Sequence, residues 1–104
     1  MDNFKVIYRI LQYLEKAMDY DRADLDFISY EHLGITEQRW LAIMEMLVKD
    51  GYVDGIGIKR SVDGEVAVTV SSPRITLRGL EYLKENSLMQ RAANIAKGVA
   101  EFIP

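Results

Sequence analysis

Residues 29–53 read SYEHLGITEQRWLAIMEMLVKDGYV, and the punctuation of this stretch decides the fold. Ser29 and Thr36 each stand just before a run with helical spacing, and their hydroxyls can cap a helix by accepting one of its unbonded N–H groups. The spacing predicts a short helix from Tyr30 to Leu33 ended by Gly34, then a longer helix over about 37–50 ended by Gly51. On the longer helix Trp40, Leu41, Ile43, Met44, Leu47 and Val48 share one arc, while Gln38, Arg39, Ala42, Glu45, Met46 and Lys49 occupy the other. Two helices joined only by Gly34-Ile35-Thr36 read as a helix-turn-helix.

Downstream, Tyr52 to Lys59 and Glu65 to Val70 flank Asp63-Gly64, a tight-turn signal, and Ile56, Ile58, Val66, Val68 and Val70 alternate with smaller or polar residues. This predicts a β-hairpin that Pro73 ends, since proline cannot donate to a ladder. Thr76 then caps a helix reaching about Asn86, in which Gly79 allows a close neighbour, and Ser87 with Gln90 forms a capping box for a further helix over 88–103. Upstream, residues 3–18 read as a helix with a wide apolar arc that includes Phe4 and Met18. Leu25 and Phe27 alternate with aspartates as in a short strand. The expected class is mostly α with a small antiparallel hairpin, α+β. The expected architecture is a winged helix-turn-helix plus a C-terminal amphipathic helix. It forms one domain over 1–104, with its core in 4–86 and the accessory helix in 87–103.

The chain has 104 residues and no cysteine, which excludes disulfides and thiol chemistry. It has no apolar run long enough for a membrane span and a start unlike a secretory signal, so a cytoplasmic protein is expected. The Asp19, Asp21, Asp24, Asp26 series lacks the glycine and terminal glutamate of an EF-hand loop and reads as a solvated loop. With one histidine, no metal-ligand spacing and no glycine-rich phosphate loop, no catalytic residue, metal or cofactor is expected. His32 reads as a boundary residue, and Trp40 as core.

Net charge is −3, which argues against a general nucleic-acid coat. Residues 1–55 carry 6 basic and 11 acidic side chains, whereas residues 74–104 carry 5 and 3. Any basic face is therefore local. In a winged helix the second helix of the motif enters the major groove, so the candidate DNA contacts are Gln38 for adenine, Arg39 for guanine, Lys49 for a phosphate, and Lys59 and Arg60 near the wing tip for phosphates or the minor groove. Each is also an ordinary solubilising residue, and Glu37, Glu45, Asp50, Asp63 and Glu65 dilute the same surface.

Leu33-Gly34-Ile35-Thr36-Glu37, Gly51-Tyr52-Val53 and Ile75 through Asn86 give the chain a resemblance to the YjcQ-like family, small winged-helix proteins of Gram-positive bacteria and their prophages. The resemblance spans about residues 4–103 and implies the fold and a phage-related setting, without a mechanism. Two functional classes stay open. The first and favoured reading is a DNA-binding regulator acting as a dimer. The other is a non-catalytic protein-interaction module that does not bind DNA. The alanine-rich half of the last helix, with Leu88, Ala92, Ile95, Ala96, Val99 and Ile103, is the candidate dimer seam.

Overall fold

The computed structural model describes residues 2–96, with side chains through residue 87. Helix α1 (Asn3–Lys16) starts at Asp2, whose carboxylate accepts the Phe4 N–H at 2.9 Å, and buries Val6, Ile10, Leu11 and Leu14. It stops short of the predicted end, and Ala17–Asp19 tightens into a 3-10 turn. The apolar arc is also narrower than predicted, because Phe4 and Met18 are exposed.

Leu25–Ile28 is a 3-10 helix, not the predicted strand. Three contacts, one local and two from other helices, explain the difference. The Asp24 carboxylate accepts the Asp26 N–H at 3.1 Å, Phe27 stacks on Tyr13 with ring centroids 5.0 Å apart, and the Trp40 indole N–H donates to the Ile28 carbonyl at 2.8 Å. Aspartate bonds to nearby backbone groups offer the chain an alternative to a ladder. Trp40 is half-buried against the core, its ring edge-on to Tyr30, while His32 is exposed and meets Phe27 edge-on.

The two helices form as their punctuation predicts. Helix α2 (Tyr30–Leu33) is capped by Ser29, which accepts the His32 N–H at 3.1 Å, and ends at Gly34 in the left-handed region. Helix α3 (Glu37–Lys49) is capped by Thr36, which accepts the Arg39 N–H at 3.2 Å. At its end Gly51 donates to Val48 and Tyr52 donates to Leu47, the paired bonds of a Schellman turn. Ile43, Met44 and Leu47 of α3 join the α1 residues, Ile28 and Leu33 in a single core.

Strands β1 (Val53–Arg60) and β2 (Val66–Ile75) pair antiparallel, from Arg60↔Val66 at the tip to Val53↔Ile75 at the base. Pro73 does not end the ladder as predicted. Between Asp54↔Arg74 and Ile56↔Val70, the single residue Gly55 faces the three residues Ser71, Ser72 and Pro73. This bulge takes the proline out of the paired positions, which is how a strand tolerates one. The backbones approach so closely there that a Cβ on Gly55 would lie 1.8 Å from the Ser72 carbonyl oxygen.

Helix α4 (Leu77–Ala96) packs on α1 through a face that buries Leu83. It runs unbroken through Ser87, so the predicted helix boundary there is absent. The Asn86 amide donates back to the Tyr82 carbonyl at 2.9 Å, satisfying itself inside the helix it was expected to end. Thr76 ties this helix to the end of α3. Its hydroxyl donates to the Gly51 carbonyl at 2.5 Å and accepts the Gly79 N–H at 3.1 Å, and its own N–H donates to the Tyr52 carbonyl at 3.2 Å. Gly79 fits because it lacks a side chain: a Cβ there would lie 2.5 Å from the Tyr52 carbonyl oxygen.

Two substitutions check this account. Gly79→Ala is expected to destabilise by about 1–3 kcal/mol through overpacking at the joint. Trp40→Phe, which leaves the Ile28 carbonyl without its donor, is expected to cost about 1–2 kcal/mol. In thermal unfolding each kcal/mol lost lowers Tm by about 4–8 °C for a domain of this size, and unchanged melting in either variant contradicts the contact it removes.

Candidate macromolecular interface

The outward stripe of α3 repeats at positions 38, 42, 45, 46 and 49, and the hairpin rises beside it. The five candidate contact residues are all exposed, but the structure does not gather them into a free basic surface. Arg60 from β1 reaches back to the Glu45 carboxylate on α3, and Lys49 approaches the same carboxylate at 3.8 Å. Glu45 is well covered, its side chain 16% exposed, so one acidic group holds two of the four cations between residues 37 and 66. A third, Arg39, donates from Nη1 to the Asn3 side-chain oxygen at 3.0 Å, linking α3 to the start of α1. Gln38 and Lys59 make no side-chain hydrogen bond or ion pair among the described residues.

The acidic groups on this face are well placed to repel an anion. Glu37 stands in the first turn of α3, and its charge raises the pKa of the neighbouring Tyr30 hydroxyl. At the hairpin tip Asp63 accepts a hydrogen bond from the Ser61 hydroxyl and one from the Glu65 N–H, which holds its carboxyl below the ordinary aspartate range. Residues 37–66 carry 6 acidic and 4 basic side chains in all. Between the charges lie exposed apolar groups: Ala42, Met46 at 47% exposure and, at the tip, the fully exposed Val62.

Glu45 was missed as the organising residue. Its pairing with Lys49 has the i,i+4 helical spacing and was legible. Its pairing with Arg60 crosses 15 residues and depends on how the hairpin leans. Of the candidate dimer residues, Leu88, Ala92, Ile95 and Ala96 lie on the α4 backbone with side chains outside the described set. Val99 and Ile103 lie outside the described residues. Among the described residues there is no cluster of His, Asp or Glu placed to hold a metal ion, and no helix is long and apolar enough to cross a membrane.

A family model described as YjcQ protein matches residues 8–102. The chain belongs to the YjcQ family. The solution NMR structure of the YjcQ protein from Bacillus subtilis is similar to it, with 27% sequence identity, a TM-score of 0.50, and coverage of 79% of this chain and 92% of that one. None of the curated proteins matches the chain. Membership in the YjcQ family and the α+β arrangement therefore stand together, while the family name carries no activity to transfer.

Because the Lys49 and Arg60 ends of the pairs stay in water, their pairing with Glu45 contributes little to stability. Glu45→Gln is expected to change the unfolding free energy by no more than about 1 kcal/mol. Chemical denaturation measures this, and a loss well beyond that value would mean that the pairs hold the hairpin in place.

Proposed function

We propose that this YjcQ-family chain is a winged helix-turn-helix used as a non-catalytic protein-interaction module, in a phage-related setting. The observation that carries the reading is the self-paired charge of the α3–hairpin face. Arg60 and Lys49 are engaged with Glu45 and Arg39 with Asn3, while Ala42, Met46 and Val62 stay exposed. Duplex DNA binding draws most of its affinity from phosphates neutralised by free cations, and this face has few to give. Protein interfaces favour the opposite composition, with methionine and other apolar groups at the centre and charges paired at the rim.

DNA binding is the second reading. It is favoured by the exposed second helix of the motif and by Gln38 and Lys59, which have no partner among the described residues. Fluorescence anisotropy with random duplex separates the two. The interaction reading expects no binding at about 50 mM salt and micromolar protein. Binding that fades as salt rises, weakens with Arg39→Ala or Lys59→Ala, and strengthens when Glu45→Gln releases its two cations would establish the DNA reading instead.

Self-association through the C-terminal helix belongs to the same proposal. Light scattering at high micromolar concentration is expected to give twice the 11.9 kDa chain mass. A purely monomeric species removes the homodimer.

A further inference from the structure

We propose that the cleft between the end of α1, the Tyr20–Leu25 loop and β2 binds a small organic anion with an apolar body. The cleft has a volume of about 700 Å³ and takes no residue from α3 or from the tip of the hairpin. This size is within the range of small-ligand sites, about 300–1,000 Å³. Its apolar lining includes Leu14, Ala17, Ala23 and Leu25 from the first part of the chain and Ile75 from β2. Arg22 of the loop and Arg74 of β2 both line the cleft, and neither makes an ion pair among the described residues. Asp21 is the single acidic group in the lining and leaves a local excess of positive charge. A guanidinium fork matches the oxygens of a carboxylate, sulfonate or phosphate, and two of them beside an apolar lining suit a molecule with one such group on a hydrocarbon frame.

The strand wall of the cleft is the bulge. Ser71, Ser72 and Pro73, the three residues that face Gly55 alone, all line it. Bulges concentrate beside binding sites because they re-aim the residues around them. The free edge of β2 lies here too, since the sheet has two strands among the described residues. An added peptide strand is a poor occupant of this edge, because Pro73 removes one of the N–H groups that pairing needs. A compact ligand held by side chains needs no ladder.

The test uses anilinonaphthalene sulfonate, a fluorescent aromatic sulfonate, on the full chain. Saturable one-to-one binding is expected, with displacement by decanoate. The double variant Arg22→Gln/Arg74→Gln is expected to bind at least about tenfold more weakly, as fits the loss of charged hydrogen bonds. The matching lysine variants, which keep the charge but lose the fork, should bind between the unaltered chain and the glutamine variant, and far-UV circular dichroism should be unchanged throughout. Non-saturable binding, equal binding by the glutamine variant, or equal affinity for uncharged phenylnaphthylamine would each overturn the proposal.

Discussion

Thr76 is bonded on both faces to the turn that ends α3, and the placement of everything after that turn follows from it. Its hydroxyl and its N–H hold the carbonyls of Gly51 and Tyr52, so the base of the hairpin closes on the end of α3. The same hydroxyl caps α4, which fixes where that helix begins and in which direction it leaves. Around this joint Tyr52 meets Tyr82 at 5.3 Å between ring centroids, with Arg78 over the Tyr52 ring at 5.6 Å, so α4 also grips the turn through side chains. Burial raises the pKa of the Tyr82 hydroxyl, as expected for a phenol inside this packing. One threonine thus couples α3, the hairpin and α4. α1 then packs against all three and completes the core.

The parts of the fold that the sequence announced are those decided within a few residues. Ser29, Thr36 and Thr76 cap helices, Gly34 and Gly51 end them, and Gly79 permits a close approach; each is a short-range demand that a few letters can express. The misread segments are those where a distant partner settles the matter. Leu25 and Phe27 alternate like a strand, but Trp40 and Tyr13 reach in from two helices and fix a 3-10 turn. Pro73 looks like a stop until Gly55 across the ladder makes room for a bulge. Ser87 has the chemistry of a cap, yet a cap acts only where the backbone leaves helical angles, and at Ser87 it does not.

The candidate site divides in the same way. The exposed stripe of α3 follows from helical spacing, and Gln38, Arg39, Ala42, Met46 and Lys49 lie on it as expected, while Glu45 is partly covered. Which charges are available does not follow from spacing, because Glu45 draws Arg60 across from the hairpin and Asn3 takes Arg39 from another helix. Counting cations along the chain therefore overstates the positive potential of this surface. The cleft at the bulge was invisible for a related reason: its walls come from residues 14–25 and 71–75, which no local pattern joins.

The bulge also changes the phase of the hairpin. Toward the tip the inward residues are Ile56, Ile58, Val66, Val68 and Val70, while at the base they are Val53, Pro73 and Ile75, so each strand shifts its alternation by one residue where Gly55 faces Ser71–Pro73. Tip and base are therefore independent modules of one ribbon. Lengthening or shortening the outer half by two residues per strand would keep its inward face and leave the joint at Thr76 in place. A change by one residue anywhere between the bulge and the tip would turn the valines to solvent. The reach of the hairpin is thus free to diverge in steps of two, while its root is held to a single geometry.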